Sequence, residues 1–141
     1  MVFTNGCYDL LHPGHIRLLE QARSLGDVLI LALNSDASAR RAKGPDRPLI
    51  AERERAELAL ALEAVDAVIL FDEDTPCELL KTIKPDVLCK GGDYQGKEEV
   101  VGWELVEAYG GKVALIALVE GRSTTQTIKK ARGDADGKTD S

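Results

Sequence analysis

Residues 2–33 read V-F-T-N-G-C-Y-D-L-L-H-P-G-H-I-R-L-L-E-Q-A-R-S-L-G-D-V-L-I-L-A-L, and the succession of patterns within them decides the fold. A short apolar run, Val2–Thr4, stops at Asn5 and Gly6. From His15 to Leu25 the apolar residues Ile16, Leu18, Leu19, Ala22 and Leu25 recur at helical spacing. Val28–Leu33 is then apolar at every position, as expected of a strand covered on both faces. Strand, helix, strand is a unit that joins parallel neighbours.

The alternation continues downstream. Ala67–Phe71, Asp86–Cys89 and Lys112–Leu118 are further apolar runs bounded by turn or charge signals. Arg53–Val65 sets Leu58, Leu62 and Val65 on one helical stripe. Glu98–Tyr109 does the same with Val101, Leu105 and Ala108, leaving Glu99, Glu104 and Glu107 opposite and Trp103 near the apolar side as a packing residue. Pro76–Ile83 reads as a shorter helix, with Thr75 as N-cap and Pro76 in first position. The expectation is an α/β fold: a Rossmann-like, five-stranded parallel sheet with helices on both faces. Residues 1–132 would form one domain, with 133–141 a disordered polar tail. Ala42–Pro48, A-K-G-P-D-R-P, reads as a charged loop broken by glycine and proline.

Composition bounds the function. A chain of 141 residues suits one domain, and 18 basic against 24 acidic side chains leave a net charge of −6, which argues against tracking a nucleic-acid backbone. No run approaches the ~20 apolar residues of a membrane span, and Met1–Asn5 lacks the layout of a signal peptide. The three cysteines, Cys7, Cys77 and Cys89, form no CxxC pair, which argues against a disulfide framework and fits a reducing, cytoplasmic setting.

Ligands of such sheets bind outside the carboxyl ends of the strands. The segment after the first run, Thr4–His15 (T-N-G-C-Y-D-L-L-H-P-G-H), holds both histidines of the chain. If a helix starts near Pro13, His12 and His15 stand together at its amino end, where free N–H groups and the dipole favour phosphate. Two imidazoles there can donate hydrogen bonds to phosphate oxygens as charge builds in a transition state. The plainer alternative is that His12 caps the turn and His15 packs beside the sheet. A zinc site from Cys7, His12 and His15 lacks a fourth ligand at convincing spacing.

Four motifs in register, T-N-G-C-Y-D-L-L-H-P-G-H, K-G-P-D-R-P, K-G-G-D-Y and V-E-G-R-S-T-T, resemble the cytidylyltransferase-like nucleotidyltransferases, and within them the bacterial D-glycero-β-D-manno-heptose 1-phosphate adenylyltransferases. The likeness covers residues 1–132. It implies the HxGH nucleotidyltransferase fold and transfer of AMP from ATP to a sugar 1-phosphate, giving ADP-heptose and pyrophosphate with Mg²⁺, for lipopolysaccharide or surface-glycan precursors. In many bacteria this activity is fused behind a sugar kinase, so the chain would be a stand-alone transferase or an excised domain. The attacking sugar phosphate is already anionic, so the site must align it with the α-phosphorus and disperse charge.

The resemblance implies catalytic roles for His12, His15 and Lys43, the last swinging from its broken loop onto the triphosphate. Nucleotide would be held by Gly6, Cys7, Tyr8, Asp93, Glu120, Gly121, Arg122, Ser123, Thr124 and Thr125. Asp9, Arg55 and Lys90 would touch phosphate or substrate. Gly91 and Gly92 would permit close backbone approach to the ligand. Relatives using CTP and glycerol 3-phosphate carry R-T-E-G-I-S-T-T, where this chain has Leu118 and Arg122. A CTP-dependent enzyme is therefore the rival within the class, and a non-catalytic nucleotide sensor or a nucleic-acid module the rivals outside it. The expected partners are ATP and a sugar 1-phosphate, with no nucleic acid and no membrane; a homodimer is expected by analogy with relatives.

Overall fold

The computed structural model describes residues 1–92 and 94–117. Five strands, β1 (Val2–Gly6), β2 (Leu29–Asn34), β3 (Ala67–Phe71), β4 (Val87–Gly91) and β5 (Lys112–Ile116), form one sheet in the order β3-β2-β1-β4-β5. Every pairing is parallel, as the alternation required. Between them run α1 (Pro13–Arg23), α2 (Asp36–Lys43), α3 (Glu52–Leu60), α4 (Cys77–Ile83) and α5 (Trp103–Ala108), with a single 3₁₀ turn at Lys97–Glu99.

Alternating strand residues feed two cores. Val2, Leu29, Leu31, Leu33 and Cys89 pack with Leu18, Leu19 and Ala22 of α1 and Ala59 of α3. Phe3, Ala32 and Leu88 pack on the other face with Leu80 of α4 and Val106 of α5. Trp103 joins this second core, as expected. Burial on both faces explains the unbroken apolar run of the central strand β2.

Four expectations need correction. Asp36–Lys43 is a helix, so Lys43 ends α2 rather than riding a broken loop. The stripe of α3 is turned: Arg55 and Ala59 are its buried residues, while Leu58 is 51% exposed. The long helix over Glu98–Tyr109 is interrupted at Gly102, whose φ is +96° and whose Cβ position lies 2.5 Å from Leu80 Cδ1, so Val101 is exposed and Val106 is buried instead. Pro76 is the N-cap of α4 rather than its first helical residue.

The sheet opens where chemistry is expected. β1 pairs with β2 along its whole length but with β4 only at Val2↔Val87 and Phe3↔Leu88. Strand order reverses between β1 and β4, so the crevice beyond Thr4 is the topological switch point.

Candidate active site

The β1–α1 segment builds the floor of this crevice. His12 is the N-cap of α1, with Pro13 in first position and Gly14 next. His12 Nδ1 accepts from the Gly14 amide at 3.1 Å, and His15 Nδ1 accepts from the His12 amide at 3.4 Å, a reciprocal capping box made of imidazoles. The two rings stack with centroids 3.8 Å apart, and Tyr8 packs on His15 at 4.9 Å. His15 is buried and His12 half-buried. Acceptance at Nδ1 requires a neutral ring, whose proton then sits on Nε2.

This corrects the reason given for phosphate binding. The first amides of α1 are not free: Gly14 is capped by His12, and the amides of His15 and Ile16 both donate to the His12 carbonyl at 2.9 and 3.2 Å. The plainer alternative, capping by His12 and packing of His15, is therefore what the structure realises, and the capping bonds engage Nδ1 of each ring.

Around the end of β1 the cations gather. Lys90, at the end of β4, reaches across the opening to donate to the Asn5 carbonyl at 2.7 Å, and burial pushes its ammonium down to about 8. Arg55 lies beneath Cys7, donating from Nη1 to its carbonyl at 2.8 Å. Burial raises the Cys7 thiol, Lys43, Arg55 and Lys90 pull it the other way, and Asp9 adds to the rise, so this loop feels charges of both signs. The thiol donates to Asn34 Oδ1 at 3.6 Å and is buried, so both the side chain and the carbonyl of Cys7 are bound within the protein. Asn34 in turn donates to Ser38 Oγ at 3.0 Å, and Ser38 to the Glu73 carbonyl at 2.8 Å, tying α2 to the ends of β2 and β3. Arg41 adds Asp74 Oδ1 and the Asp72 carbonyl.

Two expected ligands are committed elsewhere. Arg55 has a fully buried side chain, with its guanidinium bonded to Ile50, Cys7 and Asp36 rather than exposed to a phosphate. Asp9 accepts from the Leu49 and Ile50 amides and from Arg47. Burial alone would raise its carboxyl, but those two amides and Arg47 outweigh it and hold the group below the usual carboxylate range.

The glycines of K-G-G-D-Y also have internal reasons. A Cβ at Gly91 would lie 2.7 Å from Leu18 Cδ1 of α1, and Gly92 sits at φ +137°. Gly6 ends β1 and Tyr8 holds φ +48°. Asp93, Glu120, Gly121, Arg122, Ser123, Thr124 and Thr125 lie outside the described residues, as do Leu118 and the polar tail. Sequence reasoning missed Asn34 and Ser38; Asn34 directly follows a strand predicted to end at Leu33, which was the signal available.

Among the described residues no three His, Cys, Asp or Glu side chains are grouped to hold a metal ion, which leaves the Cys7–His12–His15 zinc site without support. All three cysteines are free thiols. No described helix is long and apolar enough to cross a membrane.

Residues 3–130 match the family described as cytidylyltransferase-like. Over 130 residues the chain is 62% identical to the bifunctional protein HldE of Syntrophotalea carbinolica and 59% identical to that of Geobacter sulfurreducens. These matches cover 92% of this chain and 26% of each relative, so the chain spans about a quarter of their length. The solved structure of a lipopolysaccharide core biosynthesis protein from Thermoplasma volcanium is similar at a TM-score of 0.68 and 29% identity, over 84% of this chain and 94% of that one. Pantothenate synthetase from Thermus thermophilus, at 0.52 and 18% identity, shares the fold alone.

Proposed function

The chain belongs to the cytidylyltransferase-like family, and from that premise we propose that it transfers AMP from ATP to D-glycero-β-D-manno-heptose 1-phosphate, giving ADP-heptose and pyrophosphate for lipopolysaccharide or surface-glycan precursors. The observation that carries the chemistry is the stacked His12–His15 pair at the switch point, with the charges of Lys43 and Lys90 felt at Cys7 of the same loop. An oxygen of the sugar phosphate attacks the α-phosphorus of ATP in line, the bond to the bridging oxygen breaks, and pyrophosphate leaves with that electron pair. The neutral rings, with Nδ1 accepting from the backbone, donate from Nε2 to the oxygens on which charge accumulates. Their capping bonds fix the ring planes beforehand, so little reorganisation is needed during reaction. Lys43, exposed at the end of α2, offers a point charge to the outer phosphates.

The sugar is supported by the four motifs, by the identity to the HldE proteins and by the fold of the Thermoplasma volcanium lipopolysaccharide core biosynthesis protein. Mg²⁺ fits best as the counter-ion that arrives with the triphosphate, supplying charge neutralisation there, since the described residues form no cage for it. A cytoplasmic setting is part of the proposal and is supported by three free thiols. The test is pyrophosphate release with ATP or CTP, scanned over heptose 1-phosphate, other sugar 1-phosphates and glycerol 3-phosphate. ATP with heptose 1-phosphate is the expected pair; activity confined to CTP and glycerol 3-phosphate overturns the assignment.

A further inference from the structure

We infer that Asp9 and Arg55 are positioning residues: they latch residues 47–50 and the start of α2 onto the β1–α1 loop, and thereby fix where Lys43 stands. The inference rests on the transferase reading for its kinetic consequence but not for its structural one. Asp9 Oδ1 accepts from the amides of Leu49 and Ile50, each at 2.9 Å, while Oδ2 accepts from Leu49 at 2.9 Å and from Arg47 Nη1 at 3.0 Å. An ionised carboxylate has about four acceptor sites. Three donors, the Leu49 amide shared between both oxygens, thus engage the Asp9 carboxylate, whose charge also opposes a phosphate.

Arg55 grips the same segment from the other side. Its Nε donates to the Ile50 carbonyl at 2.9 Å, Nη1 to the Cys7 carbonyl at 2.8 Å and Nη2 to Asp36 Oδ1 at 3.0 Å. Ile50 is thus held by its amide through Asp9 and by its carbonyl through Arg55. The Asp36 amide donates to Glu52 Oε1 at 2.8 Å, so α2 is anchored at its first residue as well. Lys43 lies between these two anchors, one residue before Gly44, whose amide closes α2 on the Arg40 carbonyl at 2.9 Å. A buried guanidinium is a costly way to fill space that an apolar side chain could fill. Its bonds to three separate segments make geometry, rather than packing, the property it supplies.

The experiment combines amide hydrogen exchange with steady-state kinetics on the full chain, comparing wild type, Asp9→Asn, Lys43→Ala and the double variant. Asn keeps one oxygen acceptor and loses the charge. Exchange at Leu49, Ile50 and Gly44 is expected to quicken by roughly tenfold or more in Asp9→Asn. kcat/KM is expected to fall by roughly 10- to 100-fold, and adding Lys43→Ala to Asp9→Asn should cost little beyond Lys43→Ala alone, because both act through one charge. Independent, multiplying losses, a rise in KM at unchanged kcat, or unaltered exchange at Gly44 would each overturn the latch. Should Asp9→Asn fail to fold, Arg47→Met removes only the partly exposed ion pair and is expected to shift the same three amides in the same direction. If wild type turns over no nucleotide, the transferase reading fails while the exchange at Gly44 still decides the latch.

Discussion

Removing Lys90 should change how stability depends on pH, and the size of the change follows from where the ammonium sits. Lys90 Nζ donates to the Asn5 carbonyl at 2.7 Å, just past the point where β1 and β4 cease to pair. Burial is the dominant influence, and the nearby thiols of Cys89 and Cys7 pull weakly the other way; the result is a drop from 10.5 to about 8. Between about pH 8 and 10.5 the unfolded chain therefore holds this proton and the folded chain does not. Stability rises with pH wherever the unfolded state binds more protons. A drop of this size corresponds to about 3 kcal/mol, most of it regained between pH 7 and 10. Urea unfolding of Lys90 and Lys90→Met chains at pH 7, 8, 9 and 10, both carrying Cys7→Ala and Cys89→Ala because those thiols feel Lys90, isolates the effect, since Tyr94 and Tyr109 titrate in both chains and cancel in the difference. The Lys90 chain should gain about 2 to 3 kcal/mol on the variant over that range, on top of a constant offset from the lost bond to Asn5. A bound phosphate favours the ammonium, so saturating ATP should move the rise to higher pH. A difference that stays flat from pH 7 to 10 would show that the ammonium is hydrated, and the account of the crevice would fall with it.

Three other outcomes are expected. His15→Ala should lower kcat by roughly 10²- to 10³-fold while ATP affinity, read by calorimetry, changes far less; equal losses in both would make the ring a binding group only. Gly102→Ala, which must adopt φ +96° with its Cβ against Leu80, should cost about 2 kcal/mol and lower Tm by roughly 6 °C, seen by circular dichroism. Aromatic disulfide reagent should titrate one thiol quickly in the native protein, the half-buried Cys77, because burial raises the Cys7 thiol and pushes Cys89 up to about 12; three equally fast thiols would contradict the burial of Cys7 and Cys89.

The parallel sheet was legible because central β2 is buried on both faces and carries an unbroken apolar run, while the half-covered edge strands β3 and β5 still show short apolar runs between turn and charge signals. The helix α2 was not, because its docking is polar. Asp36–Lys43 contains only alanines as apolar residues, and Ser38, Arg41 and Asp36 hold it in place through bonds to Glu73, Asp74 and Arg55. Its end signals were nonetheless written: Ser35 as N-cap, Asp36 in the first turn, Arg40, Arg41 and Lys43 in the last, and Gly44 as the stop. Helix α3 misled for the converse reason. Periodicity selects leucines for the core, yet here the buried position belongs to Arg55, which three acceptors make tolerable. The His12–His15 pair was legible as a pair, but the mutual cap that consumes the helix amides was not, since it depends on ring orientation rather than spacing.

Net charge proves a poor guide to this site, and the reason lies in how the charges are distributed. The chain carries −6 overall. At the carboxyl end of the sheet, however, Asp9 and Asp36 are bound to Arg47 and Arg55, which neutralises the nearest carboxylates. Asp74 is likewise tied to Arg41 on the outer side of α2. Lys43 and Lys90 make no ion pair among the described residues, and with Arg55 they act against Asp9 on the Cys7 thiol. An anion approaching β1 from this end meets two lysines and two imidazole rings, while the acidic excess is spread over the remaining surface and screened beyond about 10 Å. The arginine–aspartate pairs thus do two things at once: they hold the loops, and by cancelling the local carboxylates they leave the lysines electrostatically exposed to phosphate.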